Sequence, residues 1–351
     1  MKRRAAIAAG LLVGLCLLWF GLAPAWFGLA HTRLVGSPKD YGITFEAVEF
    51  HPKDAPLTLR AWWMPADKAK AAIIMVHGGG DNRSHPYMQW LRLARALIDH
   101  GYAVMDIDLR NHGESDDSPG GRSTFGVDEA ADVSAAMDYV AQRQPGTRFA
   151  GLGYSMGGQS VLYAAARDSR LEAVVSDGTY ADVRDIVPNF AHAASGLPTV
   201  LFSTPFVWSA QHLHGAALNA RAVDIIGRIT PRPVLLIHDA ADPIVPVEHC
   251  RRLARAYPAA QVWITSTPPD APAQAGVQPP WGTHAKSYVL HPDAYVRQVS
   301  TFYLTKDHAI TYGLKAIDRV EVKKIEKREL KDDVFLPPAG YQKIVPEPSK
   351  K

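Results

Sequence analysis

Residues 153–157 read Gly153-Tyr154-Ser155-Met156-Gly157, after the apolar run Phe149-Ala150-Gly151-Leu152 and before a stretch of helix-forming residues. No other segment constrains the fold as tightly. A G-x-S-x-G pattern in this context demands a strand that turns sharply into a helix with the serine at the apex. Strand and helix crowd at the two flanking positions, so both must be small. The turn holds the serine in a strained backbone geometry, with its hydroxyl standing clear of the sheet edge. A serine hydroxyl is a weak nucleophile at neutral pH, so a base and an acid are expected elsewhere in the chain.

Candidates follow in chain order. The run Val234-Leu235-Leu236-Ile237 leads into His238-Asp239-Ala240-Ala241-Asp242-Pro243-Ile244-Val245-Pro246, a strand end carrying loop carboxylates at Asp239 and Asp242. Gly282-Thr283-His284 precedes the last helical stretch. Upstream, Ala71–Val76 ends in His77-Gly78-Gly79-Gly80. Fourteen histidines are present, so a histidine alone carries little weight. His112, His238 and His291 are rivals, and His284 fits best because it lies between the last predicted strand and the last helix.

Glycine-rich loop, serine, acid and histidine in this order resemble the α/β-hydrolase superfamily, over roughly residues 42–304. Within it the chain is most similar to single-pass, membrane-anchored bacterial serine hydrolases of lysophospholipase or esterase type. The resemblance implies Ser155 as nucleophile, His284 as general base and acid, and Asp242 as the residue orienting the imidazole. Asp242-Pro243-Ile244-Val245-Pro246 resembles the family's acid loop, which favours Asp242 over Asp239, with Asp177 third. It also implies an oxyanion hole from the backbone N–H groups of Met156 and Gly79, with Gly80 as a substitute. The expected fold class is α/β: a mostly parallel central sheet with helices on both faces and a small helical cap.

The local patterns agree with that class. Strands are expected at 45–50, 57–63, 71–77, 102–107, 149–152, 171–176, 234–238 and 261–264, with helices at 86–100, 128–142 and after Ser155. Alternating strands and helices imply a parallel sheet with ligands at the carboxyl ends of its strands. Between Tyr180 and Ile229 there is apolar helical material without a strand signal, read as a cap over 180–229. Residues 266–280 read as an irregular loop. The domain plan is therefore 1–30 anchor or signal, 31–44 connector, 45–304 hydrolase domain and 305–351 an extension of unknown role.

The hydrophobic fraction is 47% and the net charge is +3. That is enough apolar material for a sizeable core, and no dense basic block suggests nucleic acid as a partner. Two cysteines, Cys16 and Cys250, do not make a disulfide framework. No zinc spacing occurs and no cofactor is expected.

Met1-Lys2-Arg3-Arg4 precedes an uncharged stretch from Ala5 to Ala30. A spanning helix needs about 20 apolar residues. Read with the flanking charges, this predicts an inner-membrane anchor with the catalytic domain on the periplasmic side. The alternative is a secreted protein whose signal is cleaved near Ala23-Pro24-Ala25.

The function expected is hydrolysis of a small-molecule carboxylic ester or thioester through an acyl-enzyme. A serine peptidase or amidase is the alternative within the enzyme class, and a catalytically silent envelope scaffold the alternative outside it. Arg110 is read as a structural donor, and His112 is read as structural in the first place, with a place near the substrate as the alternative. Asn82-Arg83 could meet an anionic group, or serve as a cap or surface pair.

Overall fold

The computed structural model of the chain describes residues 31–212, 217–267, 277 and 280–311, with a few residues between 10 and 17. The strand-forming runs assemble into one sheet: β1 (Glu46–Phe50), β2 (Leu59–Met64), β3 (Ala72–Val76), β4 (Ala103–Ile107), β5 (Phe149–Tyr154), β6 (Leu171–Asp177), β7 (Val234–Asp239) and β8 (Gln261–Thr265). Their order is β1-β2-β4-β3-β5-β6-β7-β8. β2 is antiparallel to both β1 and β4, and every later pairing is parallel.

β3 is central, with Ile74 opposite Met105 on one side and Gly151 on the other. All five of its residues are buried, as expected of a strand covered on both faces. The pleat sorts its side chains: Ile74 and Val76 join one apolar core, Ile73 and Met75 the other. The core containing Ile74 is closed by helices α2 (Glu129–Arg143) and α3 (Met156–Arg167), through Val133, Met137, Val161 and Leu162. The opposite core takes Trp90, Leu93 and Leu97 from α1 (Trp90–Asp99), and Tyr295, Val299, Phe302 and Tyr303 from the last helix.

The helix expected over 86–100 is divided. Pro86–Met88 forms a 3₁₀ turn, and Gln89 takes a left-handed φ of 49° before α1 begins at Trp90. Between β6 and β7 the chain is helical: α4 (Val183–Ser195), α5 (Thr204–His212) and the short α6 (Ala222–Ile225). Tyr180, Ile186, Phe202, Phe206 and Val245 make this segment its own apolar cluster. After β7 come α7 (Glu248–Ala256), the short α8 (Ser287–Leu290) and α9 (Pro292–Thr311). Cys250 is buried on α7. Tyr303 Oη donates to Gly151 O at 2.9 Å, tying α9 to β5.

One group of expectations is overturned. No helix among the described residues is long and apolar enough to cross a membrane. α9 has 20 residues, but it carries charged residues such as Asp293 and Arg297 and does not meet the apolarity of a span. The transmembrane anchor over 1–30, the membrane as a partner, the inner-membrane and periplasmic placement, and the resemblance to membrane-anchored hydrolases are therefore withdrawn. An apolar composition does not make a span unless the residues form one long helix. Most of residues 1–30 lie outside the described residues, as does the alternative cleavage near Ala23. Of the extension over 305–351, residues up to Thr311 continue α9 and the rest lie outside the described residues.

Candidate active site

Because β3 and β5–β8 are parallel, their carboxyl ends open on one edge of the sheet. The loop 77–80, the Ser155 turn and the loop carrying Asp242 leave that edge directly, and the segment following β8 brings His284 back to it.

Ser155 has φ 51° and ψ −118°, a region that L-residues occupy only when their surroundings enforce it. Its N–H donates to Asp177 O at 2.8 Å, and its carbonyl accepts from Gln159 N–H at 3.1 Å. The tight turn accounts for the neighbouring glycines. A Cβ on Gly157 would come within 2.1 Å of Val76 O, and one on Gly153 within 2.3 Å of Gly157 O.

Asp242 lies in the loop after β7. Its Oδ1 accepts from the N–H groups of Ile244 and Val245, both at 2.9 Å. Its Oδ2 is 2.8 Å from His284 Nδ1. Burial works against ionisation of Asp242, but the imidazoles of His284 and His238, together with the Val245 N–H, hold its carboxyl below the ordinary range. With Nδ1 committed to that carboxylate, His284 turns Nε2 to Ser155 Oγ at 3.0 Å. His284 is itself fixed by Tyr87, whose hydroxyl donates to His284 O at 2.6 Å. Ser155, His284 and Asp242 thus form one hydrogen-bonded line.

Gly78, Gly79 and Gly80 line a cavity of about 300 Å³ together with Ser155, Met156 and His284. A Cβ on Gly78 would meet the Tyr154 ring at 2.7 Å. His77, just before them, is buried and accepts from Leu109 N–H through Nε2 at 3.1 Å, so its Nδ1 donates to Gly78 O at 2.8 Å. Burial drives its pKa well below the ordinary histidine value, and its role is to shape the loop.

The rival residues are engaged elsewhere. His291 Nε2 is 2.9 Å from Ser266 O. His238 Nε2 is 2.6 Å from Val245 O. His112 Nδ1 is bonded to Arg110 O, with its ring 5.1 Å from that of His77. Asp239 accepts from Ala241 N–H and Thr265 Oγ1. Arg110 spans Asp132 on α2 and Asp54. Arg83 is buried against Asp108 and Glu114, and stacks on Trp62 at 4.7 Å. Asn82 donates to Thr32 and Arg33 carbonyls, so this pair does not face a ligand. Among the described residues, no group of three His, Cys, Asp or Glu could hold a metal ion.

The structure also brings to the site Asp177, the third candidate acid, in a different role, and two residues, Lys286 and Asp81, that no sequence pattern marks. Asp177 Oδ1 accepts from Ser287 Oγ at 3.1 Å across 110 residues. Burial, aided by the charge of Asp242 and opposed by Ser287, His284 and Tyr295, pushes its carboxyl up to about 7. Lys286 donates to Tyr87 O and lies over the Tyr87 ring at 3.6 Å, and burial lowers its pKa to about 8. Asp81 accepts from Tyr154 Oη and pairs with His85.

A family model describing the alpha/beta hydrolase fold matches residues 71–211. The matched segment runs from β3 through the Ser155 turn into α5, and the sheet order and the parallel strands beyond it complete the same architecture. Over that segment the chain is similar to the alpha/beta hydrolase family. The uncharacterised protein YfhR of Escherichia coli is 28% identical to this chain over 219 residues, covering 59% of the chain. The match spans 66% of the relative's own length. The quorum-quenching protein AidA of Acinetobacter baumannii is 30% identical over 138 residues, covering 38% of this chain and 44% of AidA. The Pyrococcus furiosus esterase Pf2001 superposes with a TM-score of 0.62 at 20% identity, over 79% of this chain and 99% of the esterase.

Proposed function

We propose that this protein is a serine hydrolase of the α/β-hydrolase superfamily that cleaves carboxylic esters or thioesters through an acyl-enzyme. The observation that carries the reading is the line from Ser155 Oγ to His284 Nε2 at 3.0 Å and from His284 Nδ1 to Asp242 Oδ2 at 2.8 Å.

In this reading His284 accepts the Ser155 proton as Oγ attacks the acyl carbon. The developing imidazolium is stabilised by Asp242, whose depressed pKa keeps it ionised. The negative charge on the carbonyl oxygen is met by the N–H groups of Met156 and Gly79. Met156 is the first residue of α3, where N–H groups lack an intrahelical partner and the helix dipole favours negative charge. His284 then returns the proton to the leaving alcohol or thiol, and water cleaves the acyl-serine by the same route in reverse. Phe125, Tyr180, Ile186, Phe190 and Trp281 border the cavity, which supports an apolar group in the substrate. Pf2001, a solved structure resembling this chain in fold, is an esterase by name, which is consistent with the reading.

Labelling with a fluorophosphonate probe tests the proposal. Modification of Ser155 in the wild-type protein, abolished by Ser155→Ala, is the expected result. A folded wild-type protein that neither labels nor hydrolyses short-chain aryl esters overturns it.

A further inference from the structure

The cavity lining also carries a second histidine–carboxylate pair. Asp81 and His85 both line the cavity, as do Tyr87 and Tyr154. Asp81 Oδ2 accepts from the Tyr154 hydroxyl. Its Oδ1 lies 2.6 Å from His85 Nδ1. Both carboxylate oxygens are thereby engaged, and the ring of His85 is oriented.

Two groups compete for His85 Nδ1: the Asp81 carboxylate at 2.6 Å and the Tyr87 N–H at 3.3 Å. The shorter, charge-assisted contact decides the tautomer and places the proton on Nδ1. With that proton on Nδ1, Nε2 is left to accept a hydrogen bond, and it has no hydrogen-bond partner among the described residues. An anionic ligand group is disfavoured there, because the Asp81 carboxylate stands directly behind the ring. The His85 side chain is 32% exposed, so it is open to a ligand and not sealed in the core.

We propose that the Asp81–His85 pair is a specificity element that accepts a hydrogen bond from a neutral hydroxyl on the alcohol part of the substrate. This rests on the reading of Ser155 as the nucleophile. The cavity then has two unlike halves. The cluster around Phe190 and Trp281, whose rings stand 5.5 Å apart, receives the apolar acyl group, and the wall at 81–87 receives a hydroxylated alcohol. His284 already serves Ser155, so His85 acts on recognition and not on the proton transfer.

The test compares glyceryl monobutyrate with propyl butyrate, which share an acyl group and differ by two hydroxyls on the leaving alcohol. The kcat/KM ratio, divided by the ratio of hydroxide-catalysed rates, removes intrinsic reactivity. A hydrogen bond at a partly exposed acceptor corresponds to a ratio of about three- to tenfold in the wild type. The ratio is expected to fall to about one in His85→Leu. A wild-type ratio of one, or a ratio that survives His85→Leu, overturns the proposal. Fluorophosphonate labelling of the same preparations separates the two levels. A labelled enzyme without the preference refutes the pair's role alone, whereas an unlabelled one refutes the nucleophile beneath it.

Discussion

His284 Nε2 lies 3.0 Å from Ser155 Oγ across 129 residues of chain. Each partner is held by a different part of the fold. Ser155 is pinned through its N–H by the carbonyl of Asp177 at the end of β6. His284 is pinned through its carbonyl by the Tyr87 hydroxyl and through Nδ1 by Asp242. A contact enforced from several directions supports pre-organisation, in which geometry is set before substrate arrives.

Removing the proposed nucleophile separates activity from stability. Ser155→Ala is expected to lower kcat by about 10⁶, the loss seen when a triad nucleophile is deleted. Ser155 makes no side-chain cap bond to α3, so the truncation costs no helix cap. Its φ of 51° stores about 1–3 kcal/mol of backbone strain, which glycine does not feel. Ser155→Gly should therefore be more stable than Ser155→Ala by roughly 1 kcal/mol once glycine's added chain entropy is counted. Urea unfolding of the two variants measures this, and a less stable glycine variant contradicts the strain.

Asp242→Asn keeps the side chain's shape and removes its charge. The amide cannot hold a proton on His284 Nδ1, so kcat/KM should fall on the order of 10⁴. The folded-state pKa of Asp242 lies below its ordinary value. Its stabilising contribution is therefore complete above the unfolded-state pKa of about 4 and is lost as pH falls through the folded value. Wild type should exceed Asp242→Asn in stability from pH 5 to 7, and the gap should close in strong acid. Denaturation midpoints across that range check it.

Asp177 has the opposite sign. Its carboxyl is raised to about 7 mainly by burial. The folded state holds that proton more tightly than the unfolded chain, so the associated stability is present at low pH. It is lost as pH rises from about 4 to about 7. Asp177→Asn can still accept from Ser287 Oγ and does not ionise. The variant should gain stability relative to wild type as pH rises to 8, and the gain should vanish near pH 4. Asp132 is also raised to about 7, so the difference between wild type and variant is the informative quantity.

Gly157→Ala tests the steric demand of the turn. The new methyl would meet Val76 O at 2.1 Å and His77 O at 2.3 Å. Overpacking typically costs about 1–3 kcal/mol, and main-chain atoms in a central strand yield less than side chains do. A loss at or above the top of that range is expected, together with lost activity. Gly227→Ala, whose Cβ would find only Ala256 O at 3.8 Å, is the near-neutral control. Thermal unfolding of both variants distinguishes them.

Local pattern in the chain determined the fold class. Runs such as Ala72–Val76, apolar at every position, can only be strands buried on both faces. The spacing of Trp90, Leu93 and Leu97 can only be a helix laid on the sheet. The Gly153–Gly157 pattern placed a serine at a strand end, because the steric demands of that turn are written in five consecutive residues. Sequence order also named His284 and Asp242 as candidates, but left His291, His238 and Asp239 beside them. Only tertiary structure decided which imidazole faces Ser155, since a hydrogen bond across 129 residues has no local signature. The same holds for Asp177 with Ser287, Tyr87 with His284, and Asp81 with Tyr154 and His85. Their side chains meet because parallel strands end on one edge, and strand order is set by how whole faces pack, not by neighbours in the chain. The uncharged stretch at 5–30 shows the converse. Composition there suggested a membrane span, most of the stretch lies outside the described residues, and no helix among the described residues has the required length and apolarity.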